Sequence, residues 1–342
     1  MLNLFQNRTV GTKHALMACA AAALIIAGLS SPAAQAADTK LTVFVGPVVY
    51  NDALWMADAK GFYKEAGLDV ELKPFASGST ALQSFGAGQG DIVVSGELPS
   101  VSYWASHPGE YKTVFAISRE SKGEVAMAST EIKSAQDLVG KVVGTRVGST
   151  GSWFIAEYLA AAGVDTSKVE VKNLETQILP TALCGGDIDA FFIWEPFGTR
   201  AKEICGDKIH KLTDATGYMN AYLVAGVRPT WLLDKANSEA LSKFIAATLK
   251  GKAVAEKDFP AVAAYVEEKF GMSEAAAKPT WEVLERPIGF DQTFYDDFCK
   301  LANWMKSSGS LEKEFSFADY LDTNALKAAD GDHFVVPPAG CK

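Results

Sequence analysis

Two short polar turns hold the residues of this sequence best suited to binding an anion. One is Ser77-Gly78-Ser79-Thr80, and the other is Gly148-Ser149-Thr150-Gly151-Ser152. Each turn follows an apolar run that predicts a strand, and each precedes a segment with helical spacing. A Ser/Thr/Gly turn at such a junction caps the helix and leaves several backbone N–H groups unpaired. Because the helix dipole and these donors act together, both turns are predicted to attract an anion.

Simple helix capping is the alternative for each turn taken singly, and it requires no ligand. The two turns are about 70 residues apart and occupy equivalent strand–turn–helix positions. This repetition favours one anion held between two similar parts of the protein.

The elements around the turns alternate between short strands and short helices. Apolar runs of strand length recur over residues 41–117 and again over 125–227, separated by helical segments such as 51–66. This alternation predicts right-handed βαβ crossovers and mainly parallel sheets, an α/β fold. The sequence then becomes helical, with long segments at 238–258, 260–270 and 291–307.

The N-terminus has the features of a secretory signal. Arg8 and Lys13 form a basic start, residues 15–29 are apolar, and Ala34-Gln35-Ala36 offers a small-residue cleavage site. The apolar run is shorter than the ~20 residues that a membrane-spanning helix needs. We therefore expect cleavage near Ala36 and export, with an uncleaved anchor as the alternative. Lipidation of Cys19 is not expected, because the apolar core lies mostly after it.

Length and charge limit the partners of the exported chain. About 306 residues remain after the signal, which suggests two lobes rather than one core. The net charge is −9 for the full chain and near −11 without the signal. Such an acidic chain argues against nucleic acid or anionic lipid as a partner.

Four cysteines remain after the signal, at positions 184, 205, 299 and 341. None has metal-ligand spacing, and an exported chain meets an oxidising compartment. Three pairings into two disulfides are possible. We expect Cys184–Cys205, which closes a loop of about 20 residues, and therefore Cys299–Cys341. Four independent thiols are the alternative.

The sequence offers little support for enzymatic chemistry. Its four histidines, His14, His107, His210 and His333, are scattered, and none accompanies a serine or cysteine motif that would pair a nucleophile with a base. No cluster has the spacing of metal ligands. We expect no catalytic residue, no metal and no cofactor.

Five motifs in order resemble the periplasmic substrate-binding proteins of ABC importers, in particular the nitrate, sulfonate, taurine and thiamine-pyrimidine branch. They are the run 55–72, Gly90-Asp91-Ile92-Val93-Val94, Asp137-Leu138-Val139-Gly140-Lys141-Val142, Gly186-Asp187-Ile188-Asp189-Ala190 leading into Trp194-Glu195-Pro196, and Asp319-Tyr320-Leu321-Asp322. Together they extend over nearly the whole mature chain.

The resemblance implies a type II periplasmic-binding-protein fold, in which two hinge crossings join two α/β lobes. On this chain the crossings are expected near 118–123 and 222–226. Lobe 1 would comprise 37–121 and 224–342, the latter including a helical return segment, and lobe 2 would comprise 122–223. The resemblance also implies a periplasmic monomer that docks on an inner-membrane ABC permease with its cytoplasmic ATPase.

The resemblance further places a ligand between the lobes, at the turns that follow the strands. Ligand contacts to both lobes would close the hinge. Carried onto this chain, the expected ligand-binding residues are Tyr50, Asn51, Ser77, Gly78, Ser79, Thr80, Glu97, Ser149, Thr150, Gly151, Ser152, Trp194 and Glu195.

Glu97 and Glu195 do not suit a site for a bare anion, because like charge opposes binding. Arginines could neutralise them, with Arg119, Arg146 and Arg286 as candidates, or they could face a cationic group of the ligand. Structural carboxylates are the third alternative. If one of them faces the ligand, an amino-sulfonate fits best, and taurine is the predicted ligand. A pyrimidine-like heterocycle stacked on an aromatic side chain, and an exported enzyme on the same scaffold, are the alternatives.

Overall fold

The computed structural model describes residues 38–331, 334–338 and 340–341. The predicted signal, residues 1–36 with Cys19, lies outside the described residues. Within the described part of the chain, no helix is both long enough and apolar enough to cross a membrane.

The described strands form two five-stranded sheets. The first sheet has the order β2-β1-β3-β10-β4 and the second has the order β7-β6-β8-β5-β9. The strands are β1 Thr39–Val45, β2 Leu68–Pro74, β3 Ile92–Gly96, β4 Lys112–Glu120, β5 Glu124–Ser129, β6 Val142–Thr145, β7 Glu170–Asn173, β8 Ala190–Trp194, β9 Ile209–Asp214 and β10 Ala221–Val227.

Helices flank both sheets and make up most of the last third of the chain. The α-helices are α1 Asp52–Ala59, α2 Phe62–Glu65, α3 Gly78–Gly86, α4 Glu97–Ser106, α5 Thr150–Ala161, α6 Leu179–Gly185, α7 Phe197–Cys205, α8 Lys235–Ala255, α9 Phe259–Phe270, α10 Glu274–Val283, α11 Gln292–Ser307, α12 Phe317–Tyr320 and α13 Asn324–Ala329. Short 3-10 segments occur at Val49–Asn51, Ala135–Leu138, Thr166–Lys168, Gly206–Lys208 and Trp231–Leu233.

Each sheet is mainly parallel and contains one antiparallel strand. In the first sheet β10 runs antiparallel to β3 and β4, and in the second β5 runs antiparallel to β8 and β9. These are the strands that the chain enters on passing from one sheet to the other. The chain leaves one sheet at the carboxyl end of a strand and enters the other sheet at the edge that faces it. The entering strand therefore runs opposite to the other strands of the sheet that it joins. The predicted α/β alternation is confirmed.

The two crossings differ in how well they match their predicted positions. The first occupies residues 121–123, between β4 and β5, inside the predicted 118–123. The second occupies 215–220, whereas residues 222–226 were expected to cross. Those residues belong to β10, which pairs with strands on both sides in the first sheet. Residues 221–223 are therefore part of the first sheet, because this apolar run is buried there; the remaining lobe boundaries stay predictions.

Some predicted elements differ locally. The helix expected over residues 51–66 is divided into α1 and α2, and Gly61 lies between them with φ 72°. A left-handed residue ends a helix, and glycine adopts this conformation without a steric penalty. The sequence analysis did not predict α7 or β9.

The helical return segment packs closely on the first sheet's own helices. A side chain at Gly251 in α8 would place its Cβ 2.1 Å from the carbonyl oxygen of Ala53 in α1. The two helices therefore approach each other at a distance that only glycine permits.

The disulfide pairing predicted from the cysteines is confirmed. Cys184 pairs with Cys205, with a Cα–Cα distance of 5.4 Å, and joins α6 to α7. Cys299 pairs with Cys341 at 5.1 Å and ties the end of the chain to α11. Each bond closes a loop and so restricts the unfolded chain.

Candidate functional site

A cavity of about 620 Å³ lies where the strand ends of the two sheets face each other. Its lining includes residues that follow β1, β2 and β6, the last residues of β3, β4 and β8, and the first residues of β5 and β10. The carboxyl ends of parallel strands are the usual place for a ligand in an open α/β sheet. The volume lies within the range of small-molecule sites.

The turn at residues 77–80 forms part of the first sheet's wall. Ser77 and Thr80 cap each other: Ser77 Oγ accepts the Thr80 N–H at 3.3 Å, and Thr80 Oγ1 accepts the Ser77 N–H at 3.2 Å. Ser77, Gly78 and Ser79 line the cavity, whereas Thr80 does not. A Cβ at Gly78 would lie 2.8 Å from the Cβ of Ser95, so glycine lets this turn approach β3.

The turn at residues 148–152 forms part of the opposite wall. Ser149 and Thr150 line the cavity, and Ser149 makes no cap bond with α5. Its hydroxyl instead donates to the Arg146 carbonyl at 2.6 Å. Gly151 is buried, and a Cβ there would lie 2.6 Å from the Phe192 carbonyl oxygen.

Ser152 lies outside the cavity lining and accepts the Gly148 N–H at 3.1 Å. Residues of both turns nevertheless line the same cavity, and Thr150 lies against β3, since a Cβ at Gly96 would be 2.9 Å from Thr150 Oγ1. The structure thus brings both predicted turns to one cavity. Anion binding by the turns stays a prediction.

Asn51 does not line the cavity but fixes a loop that does. Its Nδ2 donates to the Gly46 carbonyl at 2.9 Å, and the Trp55 indole N–H donates to the Val48 carbonyl at 2.9 Å. These two bonds hold the loop of Gly46, Pro47 and Val48, which follows β1 and lines the cavity. Asn51 therefore acts on the site through the backbone.

Glu97 and Glu195 also lie off the cavity lining, and each accepts a backbone N–H from another element. Glu97 Oε2 accepts the Tyr222 N–H at 2.9 Å, which fixes the start of β10. Glu195 Oε2 accepts the Thr199 N–H at 2.9 Å in the first turn of α7. Burial raises the pKa of Glu97 to about 7 and raises that of Glu195 above its ordinary value. This geometry matches the structural alternative.

The three candidate arginines neutralise neither of these glutamates, because each pairs with a carboxylate elsewhere. The pairs are Arg119 with Glu285 and Asp291, Arg146 with Glu175, and Arg286 with Asp52. Among the described residues that line the cavity, Arg200 is the one basic side chain, and it is exposed.

Two buried glutamates that were not predicted from the sequence also line the cavity. Glu120 is the last residue of β4 and Glu124 is the first of β5, so they flank the first crossing. Each is only 3% exposed. Burial raises the pKa of Glu120 to about 8, and burial together with the Glu120 charge raises that of Glu124 well above its ordinary value. The signal available in the sequence was one acidic residue on each side of a predicted hinge crossing.

Aromatic side chains supply much of the remaining wall. Tyr50 and Trp194, both predicted, line the cavity, and so do Tyr222, Phe197 and Phe270. The Trp194 and Phe197 rings meet edge to face, with centroids 6.3 Å apart. Such a wall suits the apolar or aromatic body of a small molecule.

The helical return segment contributes a wall that the sequence did not predict. The connection between α9 and α10 lines the cavity through the residues Phe270, Gly271, Met272, Ser273 and Ala276. Gly271 ends α9 with φ 67°, which turns the chain toward α10. Among the residues that the structure describes, no group of three or more His, Cys, Asp or Glu side chains could hold a metal ion.

The paired sheets, the antiparallel crossing strands and the cavity between them define the periplasmic-binding-protein fold. The chain belongs to the NMT1/THI5-like family, whose model matches residues 50–258. The resemblance found in the sequence is thereby confirmed, as is the expected fold class.

Relatives and one solved structure agree with this assignment. The chain is 30% identical over 148 residues to a putative binding protein of Brucella abortus (strain 2308), covering 43% of this chain and 45% of that protein. It is 26% identical over 180 residues to the taurine-binding periplasmic protein of Escherichia coli (strain K12), covering 53% and 56%. The chain thus spans about half the length of these curated relatives.

In structure, the chain is similar to the alkanesulfonate-binding protein SsuA from Xanthomonas axonopodis pv. citri bound to MOPS. The TM-score is 0.69 at 16% identity, and the match covers 81% of this chain and 96% of that protein. At this identity the likeness concerns the fold.

Proposed function

We propose that this protein is the solute-binding component of an ABC importer and binds a small zwitterionic sulfonate, taurine or a close relative. The observation that carries the proposal is one cavity with two kinds of wall. Two helix-start turns with unpaired N–H groups suit the sulfonate, and buried carboxylates without a basic partner suit the ammonium. The taurine-binding relative adds support.

A ligand that is only an anion fits this cavity poorly. Glu120 and Glu124 line it, and the one basic lining residue among those described, Arg200, is exposed to water. A negative charge enclosed beside these carboxyl groups is disfavoured by Coulomb repulsion once either of them ionises, and this repulsion is strongest where water is excluded. A ligand with a positive end offsets this repulsion.

The transport role follows from contacts on both sheets. A ligand held by Ser77–Ser79 on one wall and by Ser149–Thr150 on the other would draw the sheets together about the crossings at 121–123 and 215–220. The closed form would be the one presented to the inner-membrane permease with its ATPase. The protein would act in the periplasm as a monomer, without catalysis, as the names of its binding-protein relatives suggest.

A cationic heterocycle, such as an aminopyrimidine, is the second candidate. The volume of about 620 Å³ exceeds what a ligand as small as taurine needs. The rings of Tyr50, Trp194 and Tyr222 could stack on a flat ligand. Its ring nitrogens would then face the same carboxylates.

Thermal unfolding of the purified protein tests these candidates. A ligand that binds only the folded state stabilises it by about 2.7 kcal/mol at 100 times its Kd. We expect taurine to raise the unfolding midpoint more than propane-1-sulfonate, which lacks the amine. A response to an aminopyrimidine alone would favour the second candidate. An equal response to both sulfonates would contradict a zwitterion site, and no response to any of the three would overturn the proposal.

A further inference from the structure

We propose that Glu120, Glu124 and the Tyr50 hydroxyl form a subsite that binds the protonated amine of the ligand and releases a proton when it does so. This inference rests on the proposed function, because it names the part of that cavity that receives the positive end. Glu120 and Glu124 were not predicted from the sequence as ligand-binding residues. Tyr50 was predicted to bind the ligand, without a role for its hydroxyl.

The geometry places three unpaired oxygen atoms together. Glu120 Oε1, Glu124 Oε2 and the Tyr50 hydroxyl are buried and have no hydrogen-bond partner among the described residues. All three residues line the cavity. A primary ammonium has three N–H donors and no acceptor, so it matches three acceptors that folding leaves unpaired.

Gly123 keeps this subsite open. A Cβ at Gly123 would lie 2.3 Å from the Tyr50 hydroxyl oxygen and 2.9 Å from Glu120 Oε2. The Tyr50 hydroxyl and the Glu120 carboxylate thus both lie next to Gly123, the glycine of the crossing. The Gly123 N–H donates to Glu120 Oε2, which leaves Oε1 for a ligand.

Carboxyl groups on three other elements add negative charge around the subsite. Glu97 at the start of α4, Glu195 before α7 and Asp214 at the end of β9 act on the pair electrostatically. Two lysines belong to this neighbourhood: Lys211 is paired with Asp214 at 2.7 Å, and Lys122, in the crossing between the two glutamates, is exposed.

Two adjacent carboxyl groups in such a place cannot both ionise without a cation. Burial, above all, raises the pKa of Glu120 to about 8 and raises that of Glu124 well above its ordinary value. At neutral pH the free pair therefore retains a proton. When R–NH₃⁺ binds, one carboxyl O–H bond breaks, its proton passes to the solvent, and the carboxylate that forms faces the ammonium.

An organic amine suits this subsite better than a metal ion. Calcium takes six to eight oxygen ligands and magnesium six. The subsite offers two free carboxylate oxygens and a phenol, and no group of described residues meets the requirements of a metal site.

Isothermal titration calorimetry near pH 7 tests the inference with two matched ligands, taurine and propane-1-sulfonate. Titration in two buffers with different ionisation enthalpies measures the protons released. For the wild type we expect release of up to one proton with taurine and none with propane-1-sulfonate. Glu120→Gln and Glu124→Gln should each weaken taurine at least about tenfold, as loss of a charge-assisted bond implies, and abolish the release. Propane-1-sulfonate should be affected less than about twofold.

Glu131→Gln is the matched control, since Glu131 is exposed and lies outside the cavity lining. It should leave both affinities and the proton release unchanged. Gly123→Ala provides a second route, because the added methyl occupies the subsite without removing charge. It should lower taurine affinity as the glutamine variants do, and circular dichroism would verify its fold.

The outcomes separate this inference from the proposed function. If taurine binds but both glutamine variants keep its affinity and proton release, the subsite is overturned and the function stands. If neither sulfonate binds, ethylammonium and an aminopyrimidine serve as probes. Binding of either that depends on Glu120 and Glu124 would support the subsite and overturn the sulfonate function. No dependence with any probe would overturn the subsite as well.

Discussion

The glutamates at the two helix starts differ from those at the first crossing in what they face: Glu97, Glu120 and Glu124 are buried and Glu195 is half-buried. Glu97 and Glu195 accept backbone N–H groups of β10 and α7 and lie off the cavity lining. Glu120 and Glu124 line the cavity, and Glu124 has no hydrogen-bond partner for its buried oxygen.

Glu97 shows that a free oxygen alone does not define a ligand contact. Its Oε1 is also buried and unpaired, yet the residue lies behind the cavity wall. The comparison therefore indicates that both conditions must hold: an unpaired polar atom and an open space that a ligand can enter. Glu120 and Glu124 at the crossing satisfy both conditions, Glu97 satisfies only the first, and Glu195 satisfies neither.

The largest expected effect concerns a buried carboxylate that does have a cationic partner. Asp52 is 1% exposed and pairs with Arg286, whose Nη2 lies 2.5 Å from its Oδ2. Arg286→Ala leaves this charge unpaired, and we expect the free energy of unfolding to fall by about 3–5 kcal/mol. Urea unfolding measures it. Lys235→Ala, which breaks the exposed pair with Glu239, is the control and should cost less than about 1 kcal/mol.

The second prediction concerns the stability of the unliganded protein against pH. Glu120 has an ordinary pKa of 4.5 when unfolded and about 8 when folded, so the folded state holds more protons between these values. The stabilising contribution of this group to the free energy of unfolding is therefore complete below about pH 4.5. It falls as the pH rises toward 8, by at most about 1.4 kcal/mol per pH unit for each proton retained.

Urea unfolding at pH 5, 6.5 and 8 checks this dependence. The double variant Glu120→Gln with Glu124→Gln should flatten the curve over that window. If the double variant keeps the wild-type dependence of the free energy of unfolding on pH, other groups cause that dependence. The glutamates at the crossing would then not differ from those at the helix starts in this respect.

The third prediction separates Glu97 from the cavity. Burial raises its pKa to about 7, so ionisation opposes folding at pH 8. Glu97→Gln keeps an oxygen for the Tyr222 N–H and removes that charge. We expect the substitution to raise stability at pH 8 by about 2–3 kcal/mol more than at pH 5. The ratio of taurine to propane-1-sulfonate affinity should also stay as it is, and a fall in that ratio would place Glu97 at the ligand.

The smallest effect is expected at Glu195. From the sequence alone, Glu195→Gln is expected to weaken a zwitterion more than a simple alkanesulfonate. In the structure the side chain caps α7 through the Thr199 N–H, and an amide oxygen can accept that bond. We therefore expect calorimetry to show an equal change for both ligands, with less than about 1 kcal/mol lost in stability. A loss of affinity for taurine but not for propane-1-sulfonate would instead support the prediction made from the sequence.

How far the sequence predicts the fold depends on how local each signal is. The strands and the capping turns follow from hydrophobic period and capping chemistry within about ten residues, and they were predicted closely. Gly61 was a local signal too, but the helical spacing on both sides of it masked the break between α1 and α2. The position of the second crossing was missed, because the sheet to which β10 belongs depends on distant strands.

The same reasoning applies to the candidate site. Tyr50, Ser77, Ser149 and Trp194 reach the cavity because residues that follow or end parallel strands share one edge, which alternation in the sequence already implies. The wall formed by Phe270 and the residues after it could not be predicted. It depends on how the helical return segment folds back over the strand ends.

Residue types and motifs along the chain were enough to predict the two polar turns, the α/β alternation and the family, and they favoured the disulfide pairing that the structure shows. Each depends on residue types at short spacing, or on motifs in order along the chain. Which carboxylates line the cavity and which accept backbone N–H groups depends on tertiary packing. Glu97 and Glu120 are both acids beside a strand end, and what separates them is the direction of the side chain and the partner that packing supplies. Those contacts join elements far apart in the chain, so no local pattern records them.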